Sequence, residues 1–357
     1  MSRMIYVGGY TRPDYRGKAE GIYVYEVDAE SGLPMWSQTA ASGDNPSFLV
    51  VHPTRPLLYC VNETRDGGVS AFAVEAETGH LTLLNRQPSL GDDPCHLCVD
   101  PTGKFVIVAN YTSGNITVLP VEADGGLGPS VEMVQHHGSG PSTRQTGPRM
   151  HMVSFSPDQR YLIAADLGID QVLVYRLDPT SGKLTLHDGG GVHPAQLTPG
   201  AGPRHFAFHP NGQILYVINE LASTIVTCSY DAVTTTLTPK QTVSTLPPGY
   251  TDMNSTAELV IAPSGKFVYG SNRGANSIAV FAVDTTTSEL TAVDFVSTEG
   301  KTPRSFAIDP DGATLYAANQ NSDTLVVFQI DPTTGSLTPT EHVVAVPTPV
   351  CVLIADL

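Results

Sequence analysis

The sequence predicts an all-β fold, a seven-bladed β-propeller of four-stranded antiparallel blades. Three observations carry that expectation. A hairpin with a proline seven residues after its start and an Asn or Asp sixteen residues after it occurs six times. A small-polar turn ending in Leu occurs seven times. The segments between these markers alternate apolar and polar residues with the period of a strand, and none has helical periodicity.

The hairpins start at Pro46, Pro94, Met150, Pro203, Thr256 and Pro303, at intervals of 48, 56, 53, 53 and 47 residues. Each carries its proline (Pro53, Pro101, Pro157, Pro210, Pro263, Pro310) and its Asx residue (Asn62, Asn110, Asp166, Asn219, Asn272, Asn319). Residues 202–220 are the clearest copy. Two apolar runs flank His209-Pro210-Asn211-Gly212, where Pro presets φ and Asn-Gly supplies the positive φ of a tight turn. A third strand follows, as in residues 224–230 and 277–283. Next comes the Leu turn (Ser31-Gly32-Leu33, Gly79-His80-Leu81, Gly125-Gly126-Leu127 and four more) and a short fourth strand. Six hairpins against seven Leu turns imply one split blade. Residues 4–9, 21–27 and about 35–40 would supply its outer strands, and residues 350–355 its innermost one. Closure by both ends removes exposed sheet edges. A repeat array of this kind extends one continuous unit, so residues 1–357 are expected to form a single domain.

The chain carries a formal charge of −16 and no Lys/Arg run, which argues against nucleic acid and acidic membrane surfaces as partners. The N-terminal residues Met1 to Val7 enter a strand directly, without the apolar core of a signal peptide, and no apolar run reaches membrane-spanning length. Five cysteines, odd in number and mostly inside apolar runs, fit buried thiols in a reducing cytoplasm. Cys95 and Cys98 form a C-x-x-C, but no second ligand pair matches it. The sequence carries no signature of oligomeric state; a monomer or weak dimer is expected.

The repeat separates scaffold from chemistry. The Asx position is common to all six hairpins, and an Asx side chain bonding local backbone at a strand end explains it. The following residue varies: Glu63, Tyr111, Leu167, Glu220, Arg273, Gln320. So does the start of the inner strand: Ser47-Phe48, Cys95-His96, His151-Met152, Arg204-His205, Ala257-Glu258, Arg304-Ser305. An antiparallel hairpin brings both positions to one rim. The rim therefore gathers Glu63, His96, Tyr111, His151, Arg204, His205, Glu220, Glu258, Arg273, Arg304 and Gln320, a set that packing does not explain. Arginines clamp anions, and histidines and carboxylates supply general acids and bases. A solvated channel of compensating salt bridges is the plainer alternative. His and Glu are also metal ligands, but no H-E-x-x-H spacing supports a metal site. Three long connections, Val134 to Gly147, Gly189 to Gly202 and Ser244 to Ser255, should overlie the same face. His136, His137 and Arg144 fall in the first, where lone histidines are expected to be exposed.

Several of these segments together resemble the seven-bladed propeller lactonase family, whose best-known members are the bacterial propeller-type 6-phosphogluconolactonases. They are Gly202-Pro203-Arg204-His205, Asn219-Glu220, Ala257-Glu258 ahead of Pro263-Ser264-Gly265-Lys266-Phe267-Val268-Tyr269, Asn272-Arg273 and Pro303-Arg304-Ser305-Phe306. The resemblance covers essentially the whole chain and is most specific at Gly-Pro-Arg-His and Asn-Glu. It implies cytoplasmic hydrolysis of a small anionic sugar-acid lactone, with no cofactor. It carries over to Arg204, His205, Glu220, Glu258, Arg273, Arg304 and His151. On that reading Glu220 or His205 activates water and His151 or His205 protonates the leaving alkoxide. Arg204, Arg273 and Arg304 hold the anionic end, with Glu258, Glu63, His96 and Gln320 also contacting substrate. The family includes a carboxymuconate-cyclising branch, so an unphosphorylated aldonic or aldaric lactone, or a lactonising reaction, is the alternative. A non-catalytic interaction platform is the alternative outside enzymes. The loop from His136 to Arg144 is longer than the family pattern.

Overall fold

In the computed structural model, which describes residues 3–28, 32–187 and 195–357, seven antiparallel sheets follow one another along the chain. Among the described residues the one helical element is a 3-10 turn at Pro13–Tyr15. Blade 4 is typical: Pro203–Phe208, Ile214–Asn219, Thr224–Asp231 and Thr236–Ser244 run from the axis outward. In blade 3 a short fifth strand, Ala195–Gln196, pairs with Gln171–Leu177. Ser31 of the first Leu turn, Met1 and Ser2, and residues 189–194 of the second long connection lie outside the described residues.

The split blade is as the sequence implies. Pro349–Asp356 is its inner strand, paired antiparallel with Arg3–Gly9 from Arg3↔Asp356 to Gly9↔Pro349; Ile22–Val27 and Pro34–Ala40 lie outside. Arg3 Nε reaches Asp356 at 2.9 Å and a terminal nitrogen of Arg3 reaches Asp311 at 2.8 Å, so both chain ends are tied to blade 6.

The inner hairpin turn is closed by the Gly212 N–H on the His209 carbonyl at 2.9 Å. Only the glycine has positive φ: Gly103, Gly212, Gly265 and Gly312 lie between +71° and +73°. Gln159 takes the same place in blade 3 at +61°. At the other end of the hairpin the inner strands carry a β-bulge. The register jumps between Pro94 and His96, Met150 and Met152, Pro203 and His205, Thr256 and Leu259, and Pro303 and Ser305. The extra residues are therefore Cys95, His151, Arg204, the Ala257-Glu258 step and Arg304. A bulge re-aims a side chain that strict alternation would send to the opposite face.

The Asx side chains are fully buried and knit strand ends to neighbouring backbone. Asn272 donates to the Thr245 carbonyl at 2.8 Å and Asn319 to the Thr298 carbonyl at 2.9 Å. A second recurring fastener joins blade to blade. The buried tyrosines Tyr6, Tyr59, Tyr216 and Tyr269 donate their hydroxyls to the carbonyls of Gly79, Gly125, Ser288 and Gly335, at 2.8–3.1 Å. Each acceptor lies in the Leu turn of another blade. The apolar clusters likewise lie between blades: Tyr216, Ile218 and Ile225 of blade 4 pack with Leu259, Val268 and Phe281 of blade 5. All five cysteines are buried and unpaired.

Removing one fastener leaves a buried carbonyl without its donor. Tyr216→Phe should lower unfolding stability by about 1–3 kcal/mol in urea titration, leaving the far-UV spectrum unchanged.

Candidate active site

The bulges turn two successive residues of blade 4, Arg204 and His205, toward the axis. Both are buried and both meet carboxylates there, though a regular strand would point them apart. The rim of predicted residues is thus assembled around the channel on one face.

At its centre is Glu220. One carboxylate oxygen accepts Arg204 Nε at 3.1 Å and an Arg273 terminal nitrogen at 2.8 Å, and the other pairs with Arg144. Burial alone would raise this carboxyl, but Arg273, Arg204 and Arg144 outweigh it and hold it at about 2. Arg204 is 2 % exposed and also donates to the Ala257 carbonyl at 2.7 Å, so two of its three nitrogens are engaged inside the protein. Arg273 donates to the Thr256 carbonyl at 2.6 Å, and its Nε–H is buried without an acceptor.

His205 forms a second unit. Its Nδ1 lies 2.7 Å from a Glu258 oxygen, while its Nε2 is buried without a partner. Burial lowers the His205 pKa below the ordinary histidine value; Arg204 adds to this and Glu258 opposes it. Burial alone would raise Glu258, but His205 and Arg204 hold it below the usual carboxylate range. A neutral imidazole therefore donates Nδ1–H to an ionised carboxylate and leaves the Nε2 lone pair unpartnered. Glu258, expected to contact substrate, is bound to His205 through one carboxylate oxygen.

His96 and His151 stand beside His205, with ring centroids 5.4 and 5.2 Å away. Burial pushes both well below the ordinary histidine range, helped by the positive charges around them, so both are neutral. The Nδ1 atom of each lacks a partner. His96 stacks on Phe48 at 4.0 Å. Across the channel Glu63 accepts the Tyr10 hydroxyl at 2.9 Å, and Arg304 lies 3.7 Å from Glu63 and over the Tyr10 ring. Gln320 is held through its backbone N–H on the Thr302 carbonyl. Among the described residues its side chain makes no hydrogen bond to the other rim groups. Cys95 and Cys98 are buried, and burial pushes both thiols up, away from the thiolate that redox or metal chemistry needs. Among the described residues no group of three or more His, Cys, Asp or Glu side chains is placed to hold a metal ion.

The loop between Glu132–Gln135 and Met150–Phe155 departs from expectation. His137 is exposed, but His136 is buried, with Nδ1 2.8 Å from Asp166 and Nε2 2.7 Å from the Tyr175 hydroxyl. The reason is the Asp at the Asx position of blade 3: an acceptor-only carboxylate recruits donors that an Asn amide would not. Gln145 is also fully buried and donates to the Leu167 carbonyl and to Asp170, both at 2.7 Å. Anchored on both sides, the loop delivers Arg144 onto Glu220. Comparison of repeats could not find Arg144, because it sits outside the repeating hairpin. A cleft of about 1430 Å³ lies off the axis, where Asp14, Asp44, Asp66, Asp92 and Asp93 outnumber Arg12, Arg65 and Arg86. Its charge does not suit an anion.

Residues 4–354 match the family described as "Lactonase, 7-bladed beta-propeller". A 6-phosphogluconolactonase of Bacillus subtilis is 40% identical over 302 residues, covering 84% of this chain and 83% of that protein. One from Formosa agariphila is 33% identical over 321 residues, 85% of each chain. Among solved structures, the periplasmic gluconolactonase PpgL of Pseudomonas aeruginosa is 33% identical and superposes with a TM-score of 0.93 over 100% of this chain and 99% of that one. The chain belongs to the seven-bladed β-propeller lactonase family.

Glu220 is the counter-ion of three arginines. Glu220→Gln should therefore destabilise the fold by about 3–5 kcal/mol in denaturant unfolding, because it leaves buried guanidinium charge uncompensated.

Proposed function

We propose that this chain hydrolyses the lactone of a sugar acid to the open hydroxy acid, as a 6-phosphogluconolactonase, with His205 as the base. The observation that carries the reading is the buried, unpartnered Nε2 of His205, oriented by Glu258 and surrounded by guanidinium groups. The names and similarity of the curated relatives support the substrate class.

His205 Nε2 takes a proton from water as the water oxygen attacks the lactone carbonyl carbon. The developing imidazolium is stabilised by Glu258. The carbonyl oxygen becomes an oxyanion, and the acceptor-free Nε–H of Arg273 is the donor suited to it. When the ring C–O bond breaks, His205 Nε2–H returns the proton to the leaving alkoxide. One imidazole then serves both steps, and His151 and His96, held neutral, contribute hydrogen bonds to the substrate's hydroxyls. Glu220, ionised and clamped, is a positioning residue rather than the base. Arg304 carries the substrate-facing charge that Arg204, closed within the protein, does not.

The unphosphorylated lactone is the second reading, because PpgL, similar over the whole chain, is named a gluconolactonase. The cytoplasm, and with it the pentose phosphate pathway, is the setting we infer, supported by five unpaired cysteines. No described helix is long and apolar enough to cross a membrane.

The test is hydrolysis of freshly prepared 6-phosphogluconolactone and of gluconolactone, corrected for spontaneous opening. His205→Asn should lower kcat by roughly 10²–10⁴-fold with the fold intact; full activity in that variant would overturn the assignment.

The pH profile gives an independent check. Because burial lowers the His205 pKa, the free base persists below the ordinary value of about 6.5. The acid limb of kcat/KM should therefore lie below that pH. Glu258→Gln removes a charge that favours the imidazolium, so it should move the limb to still lower pH while reducing kcat.

A further inference from the structure

Two arginines at the outer mouth of the channel have no part in the hydrolytic steps. Arg144 has a side chain 48% exposed; it pairs with Glu220, and its positive charge lowers the proton affinity of the Tyr111 hydroxyl against the effect of burial. Arg149 closes the same loop five residues later and lies over the Tyr111 ring, 5.8 Å from its centroid. Among the described residues its guanidinium donors meet only neutral acceptors: the Thr112 carbonyl at 2.8 Å, the Pro148 carbonyl at 3.1 Å and the Thr146 hydroxyl at 3.3 Å. We propose that Arg144, Arg149 and Tyr111 form the receiving site for the phosphoryl group of the substrate, so that loop 136–149 sets the preference for a phosphorylated lactone. The proposal rests on the lactonase reading above and adds to it the group that the mouth recognises.

Charge is the first argument. Glu220 faces three guanidiniums, Glu63 faces Arg304, and Glu258 faces a neutral imidazole. Among the described residues the Arg149 guanidinium forms no ion pair, so in a chain of net charge −16 this mouth gathers guanidinium charge suited to an incoming anion. Arg144 is also the replaceable member of the clamp. If it turns to a phosphate, Glu220 keeps Arg204 and Arg273. A guanidinium bound to a phosphomonoester regains two charge-assisted hydrogen bonds in fork geometry.

Geometry is the second. Tyr111 stands 5.6 Å from His151, and His151 5.2 Å from His205, so a line of rings leads from the mouth to the base. In a six-carbon phosphorylated lactone the phosphoryl group sits on the exocyclic carbon, apart from the reacting carbonyl, so it is met by groups other than the base. The third argument is preorganisation. Asp166, Tyr175 and Asp170 anchor the loop through His136 and Gln145, so little ordering remains to oppose binding.

The experiment measures kcat/KM for 6-phosphogluconolactone and for gluconolactone in the wild type, Arg149→Gln, Arg144→Gln and Arg144→Lys, with thermal melting to confirm folding. The ratio of the two values should fall about tenfold to a hundredfold in Arg149→Gln and in Arg144→Gln, mainly through KM for the phosphorylated substrate. Arg144→Lys should recover part of it. An unchanged ratio in folded variants overturns the subsite while lactonase activity stands. If the wild type hydrolyses neither lactone, the lactonase reading fails, and calorimetry with 6-phosphogluconate and gluconate decides the subsite alone. Tighter binding of the phosphorylated acid, weakened in Arg149→Gln, upholds it; equal binding of the two acids overturns it.

Discussion

The buried carboxylate of Glu220 is the interaction on which the channel depends. It ends the second strand of blade 4 and gathers Arg204 from the first strand, Arg273 from blade 5 and Arg144 from the loop before blade 3. Three guanidiniums would repel one another at this spacing, and burial makes each more costly. One ionised carboxylate lets them coexist. It converts separate blade ends into a single charged surround for the axis, and it fixes where the arginine side chains can point.

That constraint rests on a backbone device. Regular alternation would give each inner strand one channel-facing residue near its end. The bulges give two, and in blade 4 the two are Arg204 and His205. Without the bulge, the arginine that orients Glu220 and the imidazole that faces the channel would lie on opposite faces of the sheet. The neighbouring blade uses the same irregularity at Ala257-Glu258 to place the carboxylate against His205. The scaffold beneath is repetitive: Asx side chains close strand ends and tyrosine hydroxyls join blades, while the inner-strand bulges differ in the side chains they carry.

The blades were legible in the sequence because turn chemistry and strand alternation recur at a period, and each recurrence tests the others. Pro210 and the Asx position of Asn219 could be read from one copy and checked in five more, and Gly212 in three. The location of the rim was legible for the same reason, since an antiparallel hairpin brings residues sixteen apart to one end. The pairings were not legible. Whether Glu258 meets substrate or His205 depends on the bulge, and a bulge leaves no distinct residue type at these positions. Arg144 was hidden because it lies outside the repeating hairpin, where no other copy offers a comparison. His136 looked like an exposed loop residue because its partners, Asp166 and Tyr175, are distant in sequence; the Asp in place of Asn at one Asx position was the available signal.

The electrostatics of the channel join two requirements that usually oppose each other. A base must be unprotonated before the reaction, and negative charge must be stabilised during it. Burial lowers the proton affinity of His205 and the neighbouring arginines add to it, which keeps the imidazole neutral, and the same positive field stabilises an oxyanion. Such a field would also oppose the imidazolium formed when His205 takes a proton. Glu258 answers that: its carboxylate, 2.7 Å from Nδ1, lies on the side of the ring away from the free nitrogen and compensates the new charge locally. The two carboxylates thus divide the work by position. Glu220 neutralises the arginines, and Glu258 makes a proton on His205 tolerable among them. Exchanging either carboxylate for a neutral amide would leave the residue list of the rim nearly unchanged and remove one half of that balance.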